Sequence, residues 1–568
     1  MKRQLINVGI AALVATIAGL IINYFALPAW NIRSAGMWWF WLVELIIAVV
    51  VYLIANAFND EYDTPVGGYV LGGAAALVIV AFAIAGLAGS PMCNAHTYQQ
   101  VADVENGVFA EDVIEADSAD IITVDVKTAQ KLGDRTLGTI KNAPWYEVDD
   151  EYNLVSIKGE LYRISPVNYG GLFKYGKAKA AGIPGYVLVN AITQEAEIVL
   201  VDEAMKYSPS AYWAYDLTRH LRNQYPGYMF AKSFFEVDDE GNTYWITGVK
   251  TPTIGLFGGA VVKSVVITDA VTGKSVEYSL DEMPEWVDHA LSVDYLMKVV
   301  DWHYAYTEGF WNFSKTNVYK TAYSYRDQKS ESSEENAANK HTPFEGYNSI
   351  VGKDGQIWFY TGITPANRAE TNIGFLLVSP RTGEYRYYEA TGAEESSAQV
   401  AAEGLVSNMK YSASFPTIVN VEGEETYFMV LKDAAGLVQR YALCNVENYA
   451  KYVCGSSIDE AIKLYKVEMG MIAGTDIDTD NGNQNTKPEV EENREYKEIT
   501  GIVTEVKEAQ IGGYTYYYFM LDGETTIFMS SIENSNMQPL KLTEGTSVTI
   551  KYYESKEEGI AIVAKIAF

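Results

Sequence analysis

Three long apolar stretches dominate the first 90 residues of the chain. Residues 5–27 and 67–89 contain no charged side chain, and residues 37–58 contain only one, Glu44. Each stretch is about as long as the ~20 apolar residues that an α-helix needs to cross the hydrocarbon core of a membrane. The pattern predicts a three-helix transmembrane anchor over residues 1–90, in contact with membrane lipid.

Tryptophans and basic residues indicate how this anchor is oriented. Lys2 and Arg3 precede the first stretch, and positive charge beside a span favours the cytoplasmic side. Three crossings then place everything after residue 89 outside the cytoplasm. Four tryptophans cluster where the first loop meets the second stretch, as in the aromatic belt of a membrane–water interface: Trp30, Trp38, Trp39 and Trp41.

The anchor contains three candidate packing residues. Gly68 and Gly72 lie four residues apart and allow helix backbones to approach closely, either within one chain or between chains. Glu44 is either an ion or proton site or a carboxyl group near the interface, and the absence of a partner charge in the other stretches favours the second interpretation.

After residue 90 the pattern changes to short alternating segments that predict strands. A unit recurs in which a short helix is followed by a hairpin with a glycine turn and then by an extended segment. The clearest copy has a helix over Tyr212–Tyr225, a strand over Tyr228–Val237, a turn over 238–242 and a return strand from Tyr244. Because a lone hairpin cannot bury its apolar face, each helix is expected to pack on its own small antiparallel sheet.

The predicted fold class is therefore α+β, with the anchor followed by tandem helix-on-sheet domains and a final all-β barrel. Residues 469–497 are rich in Asp, Glu and Asn and predict a disordered acidic linker. The expected domains are the repeats 91–205, 206–284, 285–392 with an acidic loop at 326–339, and 393–468, followed by the terminal domain 498–568.

The terminal domain shows five strand-like segments, and this pattern resembles an OB-fold barrel. Such barrels often stack ligands on aromatic side chains, so Tyr514, Tyr516 and Tyr518 are the candidate binding residues. The domain has no arginine and is net acidic, which argues against nucleic acid as a partner and favours a protein, a peptide or a glycan.

Several segments of the repeats resemble PepSY domains. The similar segments are ITDAVTGKSVEY at Ile267–Tyr278, VLVNAITQEAEIV at Val187–Val199 and LLVSPRTGEYRYY at Leu376–Tyr388. Residues 120–466 also resemble an uncharacterised family of membrane-attached bacterial proteins, through DEMPEWVDHA at Asp281–Ala290 and GLVQRYALCNVENY at Gly436–Tyr449. The resemblance implies a helix-on-sheet fold and proteins that bind or restrain peptidases.

The net charge and the cysteine content limit which partners and which cross-links the chain is expected to have. With 73 acidic and 43 basic residues the chain carries a net charge of −30, so it repels phosphate backbones and anionic head groups. The three cysteines form no disulfide framework. Cys444 and Cys454 could face each other across a hairpin, and both a disulfide and two thiols are compatible with the sequence.

No motif points to catalysis, a metal or a cofactor. The five histidines show no HExxH or HxH spacing, and no GxSxG, Walker or dinucleotide loop appears in a strand–helix context. The chain is therefore expected not to be an enzyme.

Four functions are compatible with these observations. The favoured one is a membrane-anchored extracytoplasmic scaffold that assembles with itself or with partner proteins. The second is a PepSY-type regulator of an extracytoplasmic peptidase, and the third is oligonucleotide or glycan binding by the OB-like terminal barrel. The fourth is a hydrolase acting in a cleft between repeats, and it predicts a cleft that holds a carboxylate or histidine of perturbed pKa.

Overall fold

A computed structural model gives the architecture. The residues that it describes are 2–58, 66–117, 121–326, 345–366, 371–472, 497–511, 514–524, 526–531, 542–554 and 560–567. Most of the predicted acidic loop 326–339 and of the predicted linker 469–497 lies outside these ranges.

Three helices at the N-terminus are long and apolar enough to span a membrane, as predicted. They are α1 (Lys2–Ala26), α2 (Ala35–Phe58) and α3 (Val66–Ala88). A short helix α4 (Pro91–Gln99) follows α3, and a non-helical residue in its middle, Asn94, kinks it. The Tyr98 hydroxyl of α4 donates to the carbonyl of Gly89, directly after α3, at 2.7 Å.

The loop between α1 and α2 packs against the water-soluble part of the chain. The backbone N–H of Trp30 donates to the Pro226 carbonyl at 2.8 Å. The Arg33 guanidinium donates to the Pro252 carbonyl at 3.1 Å. Loop 27–34 and the soluble part therefore lie at the same end of the helix bundle.

Four sheets follow in chain order, and each has a helix before it. Their strands are antiparallel except for one early strand that joins the third sheet. Two helices come before the first sheet, α5 (Phe109–Asp112) and α6 (Val126–Asp134), and α7 (Leu172–Ala178) lies between its strands β4 and β5. The sheet comprises β2 (Tyr146–Val148), β3 (Asn153–Ile157), β4 (Glu160–Tyr169), β5 (Ile183–Asn190) and β6 (Ala196–Met205). The second has α8 (Leu217–Gln224) before it and comprises β7 (Met229–Val237), β8 (Thr243–Ile254), β9 (Gly258–Asp269) and β10 (Ser275–Ser279).

The third and fourth sheets repeat the scheme. The third has α9 (Val293–Ala305) before it and comprises β11 (Tyr319–Thr321), β12 (Asn348–Val351), β13 (Ile357–Pro365), β14 (Thr371–Val378) and β15 (Tyr385–Ala393). The fourth comprises β16 (Ser412–Ala413), β17 (Thr417–Val421), β18 (Glu424–Lys432), β19 (Val438–Asn445) and β20 (Tyr452–Gly455), between α10 (Glu395–Leu405) and α11 (Ile458–Glu468).

Local chemistry explains where these elements begin and turn. The predicted helix 212–225 begins only at Leu217, because the preceding Asp216 caps it by accepting the Arg219 N–H at 2.7 Å. In the β7–β8 turn the Asp238 carboxylate accepts the backbone N–H of Asn242 at 2.8 Å. Gly241 takes a φ of +89° there, a conformation that favours glycine.

The segment after the anchor joins a different sheet from the one expected. Strand β1 (Val104–Asn106) pairs in parallel with β15, so it extends the third sheet, although the sequence grouped residues 91–205 as the first repeat. Asp112 then binds Arg386 at 2.7 Å and fixes the segment across the sheet. This pairing joins Val104 to Tyr385, about 280 positions later, and no local pattern indicates it.

The four sheets and the anchor belong to one compact unit, residues 1–405 and 411–465. Apolar residues of the first and second sheets form one core, and those of the second and third sheets form another. The first three sheets are therefore joined through shared cores.

The second unit, residues 406–410 and 466–568, contains the closed barrel. Its strands run in the order β21-β22-β23-β25-β24, with β23 and β25 parallel. They are β21 (Lys497–Ile511), β22 (Tyr514–Leu521), β23 (Ile527–Ser531), β24 (Ser547–Glu554) and β25 (Ile560–Ala567). Phe519, Phe528 and Ile550 fill the core, and the five predicted strands are confirmed.

Candidate functional site

The predicted glycines of α3 have different surroundings. A Cβ on Gly68 would lie 3.3 Å from the ring of Tyr52 on α2, so Gly68 packs within the chain. A Cβ on Gly72, Gly73 or Gly86 would meet nothing within 4 Å. The described part of a single chain therefore leaves α3 open at these three positions.

Glu44 is buried between α1 and α2 against a glycine that the sequence reading did not single out. A Cβ on Gly19 of α1 would lie 2.9 Å from the Glu44 carboxyl group. The Oε1 atom of Glu44 has no hydrogen-bond partner among the described residues. Gly19 thus makes room for the carboxyl group at a helix–helix contact.

Replacing Gly19 by valine is expected to destabilise the helix bundle, because the new side chain would overlap the Glu44 carboxyl group. Gly9 on the same helix meets nothing within 4 Å and provides the matched control. In detergent, G19V is expected to lower the Tm by about 5 °C, whereas G9V leaves it nearly unchanged. Equal Tm values for the two variants would contradict this packing.

The remaining predicted residues lie on strands. Cys444 and Cys454 are free thiols on the paired strands β19 and β20. Cys444 is opposite Tyr452 and Cys454 is opposite Ala442, so the two cysteines are offset by two positions. The register therefore gives them no direct pairing.

The three candidate tyrosines of the barrel all lie on β22. Tyr518 is half-buried, while the side chains of Tyr514 and Tyr516 lie outside the described part. Ligand binding at this strand stays a prediction.

A buried cluster of titratable groups lies where the first three sheets meet, and we call it the junction cluster: Glu236, Asp288 and His289. Glu236 at the end of β7 accepts the backbone N–H of Asp288 at 2.9 Å and that of His289 at 2.7 Å. Its Oε1 also lies 3.2 Å from Nδ1 of His289. Asp288 in turn accepts the Ser156 N–H of β3 at 2.7 Å. The cluster thus ties the first sheet to the second.

Arg381 ties the third sheet to the same place. It lies in the β14–β15 turn, and its guanidinium donates to the Pro284 carbonyl at 3.0 Å and to the Met283 carbonyl at 3.1 Å. It also donates to the Val287 carbonyl. One guanidinium therefore satisfies several carbonyls of segment 283–287, which leads directly into the junction cluster.

Burial shifts the protonation of all three members of the cluster. It raises the pKa of Glu236 to about 8, although the N–H groups of Asp288 and His289 and the charge of Arg381 oppose the rise. Burial and the neighbouring Glu236 raise the pKa of Asp288 to about 7. Burial lowers the pKa of His289 to about 4. At neutral pH His289 is therefore uncharged, and its contact with Glu236 is a hydrogen bond rather than an ion pair.

The junction cluster has the perturbed groups that a hydrolase would need, but they are enclosed. Glu236 is 0 % exposed and His289 is 2 % exposed, with the rings of Phe234 and Phe359 each 5.9 Å from the imidazole. What this geometry can do is fix the sheets relative to one another. The sequence contained Asp288 and His289 within DEMPEWVDHA, but it gave no sign of their partner Glu236, 52 residues earlier.

A buried ion pair joins the first sheet's helix to the fourth sheet. Lys432 on β18 donates to Asp125, the N-cap of α6. Burial acts to raise the pKa of Asp125, but the charge of Lys432 and the hydrogen bonds from Lys432 and Thr128 outweigh it, so this pKa lies below its usual range. Asp125 is therefore ionised at neutral pH.

A hydrogen-bond network joins the third sheet to the fourth. Tyr360 donates to Oε1 of Glu395 at 2.8 Å, and the Asn372 amide donates to Oε2 at 3.1 Å. The Tyr427 hydroxyl donates to the Ala393 carbonyl at 3.0 Å. All these groups are buried and partnered, as a polar network inside a core requires.

An open groove of about 330 Å³ lies beside β1 and the β14–β15 turn. Asp103, Glu105 and Glu384 line it, so it is acidic. Within the described ranges, no group of three His, Cys, Asp or Glu side chains is arranged to hold a metal ion.

Comparison with known proteins assigns neither a family nor a function to the chain. No protein-family model and no curated protein matches the chain. The resemblance of the repeats to PepSY domains therefore stays a prediction, and the function is inferred from the chain's own residues.

Proposed function

We propose that the chain is a membrane-anchored scaffold whose soluble part lies outside the cytoplasm and which assembles with copies of itself. The observation that carries the proposal is the open small-residue face of α3. The four sheets and the three-helix anchor belong to one compact unit, and the net charge of −30 favours the solubility of its water-exposed part.

The open face, which we call the α3 stripe, consists of Gly72, Ala76, Ala83 and Gly86. Residues three, four or seven apart share one side of a helix, so these four follow one line along α3, on which the exposed Ile79 lies between Ala76 and Ala83. Ala76, Ala83 and Gly86 are exposed, and Gly72 is partly exposed. The small residues on either side of Ile79 let a second helix approach closely at both ends of the stripe, and such close approach is a common basis of helix association in membranes.

Light scattering of the protein in detergent tests self-assembly. The wild-type chain is expected to elute as an oligomer, and the double variant A76L/G86L is expected to shift it towards monomer. G9L, which places the same side chain at an open position of α1, is the matched control and should leave the oligomer intact. A monomeric wild-type protein would contradict the proposal.

Orientation is part of the same proposal. Lys2 and Arg3 favour a cytoplasmic N-terminus. Since loop 27–34 and the soluble part lie at one end of the bundle, both would then face away from the cytoplasm.

A second candidate function is docking of a partner protein such as a peptidase. The observation that favours it is a set of exposed apolar side chains near Tyr175 of α7: Leu172 and Phe173 on the same helix, and Trp213, whose ring lies 5.7 Å from that of Tyr175. Phe173 is 88 % exposed and Trp213 is 51 % exposed, and Trp213 holds a φ of +57° that costs energy in a non-glycine residue. Exposed apolar patches of this kind mark interaction sites.

A pull-down from native membranes tests the second candidate. The wild-type chain should retain a peptidase that the double variant F173S/W213S loses. If no peptidase is recovered with the wild-type chain, the regulator function is rejected, while self-assembly is unaffected.

A further inference from the structure

We infer that an aromatic loop of the soluble part inserts into the lipid interface beside α3. The loop comprises residues 309–316, follows α9 and is here called the interfacial loop. Its aromatic side chains are turned outwards: Phe310 is 41 % exposed, Trp311 is 62 % exposed and Phe313 is 85 % exposed.

Contacts link this loop to the membrane end of α3. The Tyr98 hydroxyl donates to the carbonyl of Gly89, the residue directly after α3, and accepts the Gly259 N–H at 3.1 Å. The Tyr98 ring packs against Trp302 of α9 with a centroid distance of 4.8 Å. His303 Nδ1 lies 3.1 Å from the Gln99 carbonyl oxygen. The C-terminal end of α9 is thereby fixed where the chain leaves the membrane.

A continuous series of aromatic rings leads outwards from that point. The ring of Tyr306 lies 6.3 Å from that of Tyr98, and the ring of Phe310 lies another 6.3 Å further. Trp311 follows at 5.2 Å from Phe310, and Phe313 at 5.9 Å from Trp311. The exposed aromatic side chains are therefore connected, through successive ring contacts, to Tyr98 and so to the end of α3.

The loop is ordered by its own hydrogen bonds. The Asn312 amide donates to the Thr316 carbonyl at 2.7 Å, and the Ser314 hydroxyl donates to Oδ1 of Asn312 at 2.8 Å. Polar groups are thus satisfied inside the loop, and the aromatic groups are left for the surroundings. The exposed Lys315 is placed beside them, where its ammonium group can reach lipid head groups.

Lipid is the occupant that these observations favour. Tryptophan and other amphipathic aromatics concentrate at the membrane–water interface, and the anchor's own Trp38 and Phe82 already contact Phe257 at the tip of the β8–β9 hairpin. The interfacial loop extends that aromatic zone. The inference rests on insertion of α1–α3 in a bilayer and is independent of self-assembly.

Spin labelling of the full-length protein in phosphatidylcholine nanodiscs tests the inference. Phe313 is replaced by cysteine in a C93S/C444A/C454A background and labelled, and the matched control is a label at Tyr449, which is 55 % exposed on the fourth sheet. The label at 313 is expected to collide more with lipid-soluble oxygen than with a water-soluble nickel chelate, and the label at 449 is expected to show the reverse.

Two results would overturn the inference. If the label at 313 collides with the nickel chelate as often as the label at 449 does, the interfacial loop lies in water. If the label at 313 collides rarely with both oxygen and the chelate, a protein covers the loop.

A second measurement avoids the cysteine background. The difference in emission between the wild type and W311F isolates the fluorescence of Trp311, which brominated lipids should quench. The same difference for W358F isolates the buried Trp358, which they should not quench. Absence of lipid quenching at Trp311 would also overturn the inference.

Discussion

Replacement of Glu236 by glutamine is expected to destabilise the compact unit by about 2 kcal/mol, because a buried backbone N–H loses its acceptor. In the native chain the Glu236 carboxyl group accepts the backbone N–H groups of Asp288 and His289, and its Oε1 also lies 3.2 Å from Nδ1 of His289. A glutamine amide offers one oxygen and places an NH2 group against the remaining donor. The Tm in detergent is expected to fall by about 5 °C.

Glu240 provides the control for this substitution. It lies in the exposed β7–β8 turn, four residues after Glu236, so E240Q makes the same chemical change in water. If E236Q and E240Q had the same Tm, the junction cluster would contribute nothing to stability.

The same cluster makes stability depend on pH in a predictable direction. The folded chain keeps protons on Glu236 and Asp288 up to about pH 8 and 7, whereas the unfolded chain releases them near pH 4. Stability from these two groups therefore falls as the pH rises through that window. His289 acts in the opposite sense below pH 6.5, since only the unfolded chain protonates it there.

Between pH 6.5 and 8.5 the two carboxyl groups are the members of the cluster that titrate. Thermal unfolding of the wild-type protein should show a Tm that declines over this range. The decline should be smaller in E236Q, because one of the two titrating groups is gone and the other loses its charged neighbour. A decline of the same size in both proteins would contradict the assignment.

Replacement of Gly258 by valine is expected to separate the β8–β9 hairpin from the end of α3. A side chain at this position would overlap the Gly89 carbonyl oxygen and the Tyr98 hydroxyl. The bond from Gly259 N–H to the Tyr98 hydroxyl should then open, and its amide hydrogen should exchange about tenfold faster. Hydrogen exchange read by mass spectrometry over residues 255–262 measures the change.

Gly138 is the control for G258V, because a Cβ there meets nothing within 4 Å. G138V should leave exchange over residues 255–262 unchanged. Exchange in the junction cluster should stay slow in both variants, since the cluster lies within the body of the sheets. Unchanged exchange in G258V would mean that the hairpin does not depend on this contact.

Elements with a strong local signal could be predicted from the sequence. The apolar stretches predicted the three helices. The alternating segments with glycine turns predicted the hairpin β7–β8 and the five barrel strands. These elements depend on residues that are neighbours in the chain, and their period is visible there.

The contacts between elements could not be predicted in this way. Strand β1 pairs with β15, Gly19 accommodates Glu44, and Glu236 binds Asp288 and His289 across 52 and 53 positions. Each of these contacts is set by how the elements pack in three dimensions. A carboxylate in an acidic chain carries no mark that distinguishes the buried Glu236 from the exposed Glu240.

The interfacial loop could be predicted from the sequence only in part. Its aromatic residues are plain in the sequence, but aromatics in a chain with 42 tyrosines, 20 phenylalanines and 11 tryptophans are too common to be diagnostic. Their exposure and their link to Tyr98 and Gly89 are structural facts, and these two facts carry the inference.

The central claim is that α1–α3 cross a membrane and hold the soluble part on the far side from the N-terminus. Protease accessibility of epitope tags at the two ends, compared in intact cells and in inverted membrane vesicles, tests it most directly. The account predicts that the C-terminal tag is cleaved only in intact cells and the N-terminal tag only in inverted vesicles. Cleavage of both tags in the same preparation, or recovery of the chain in the soluble fraction without detergent, would contradict it.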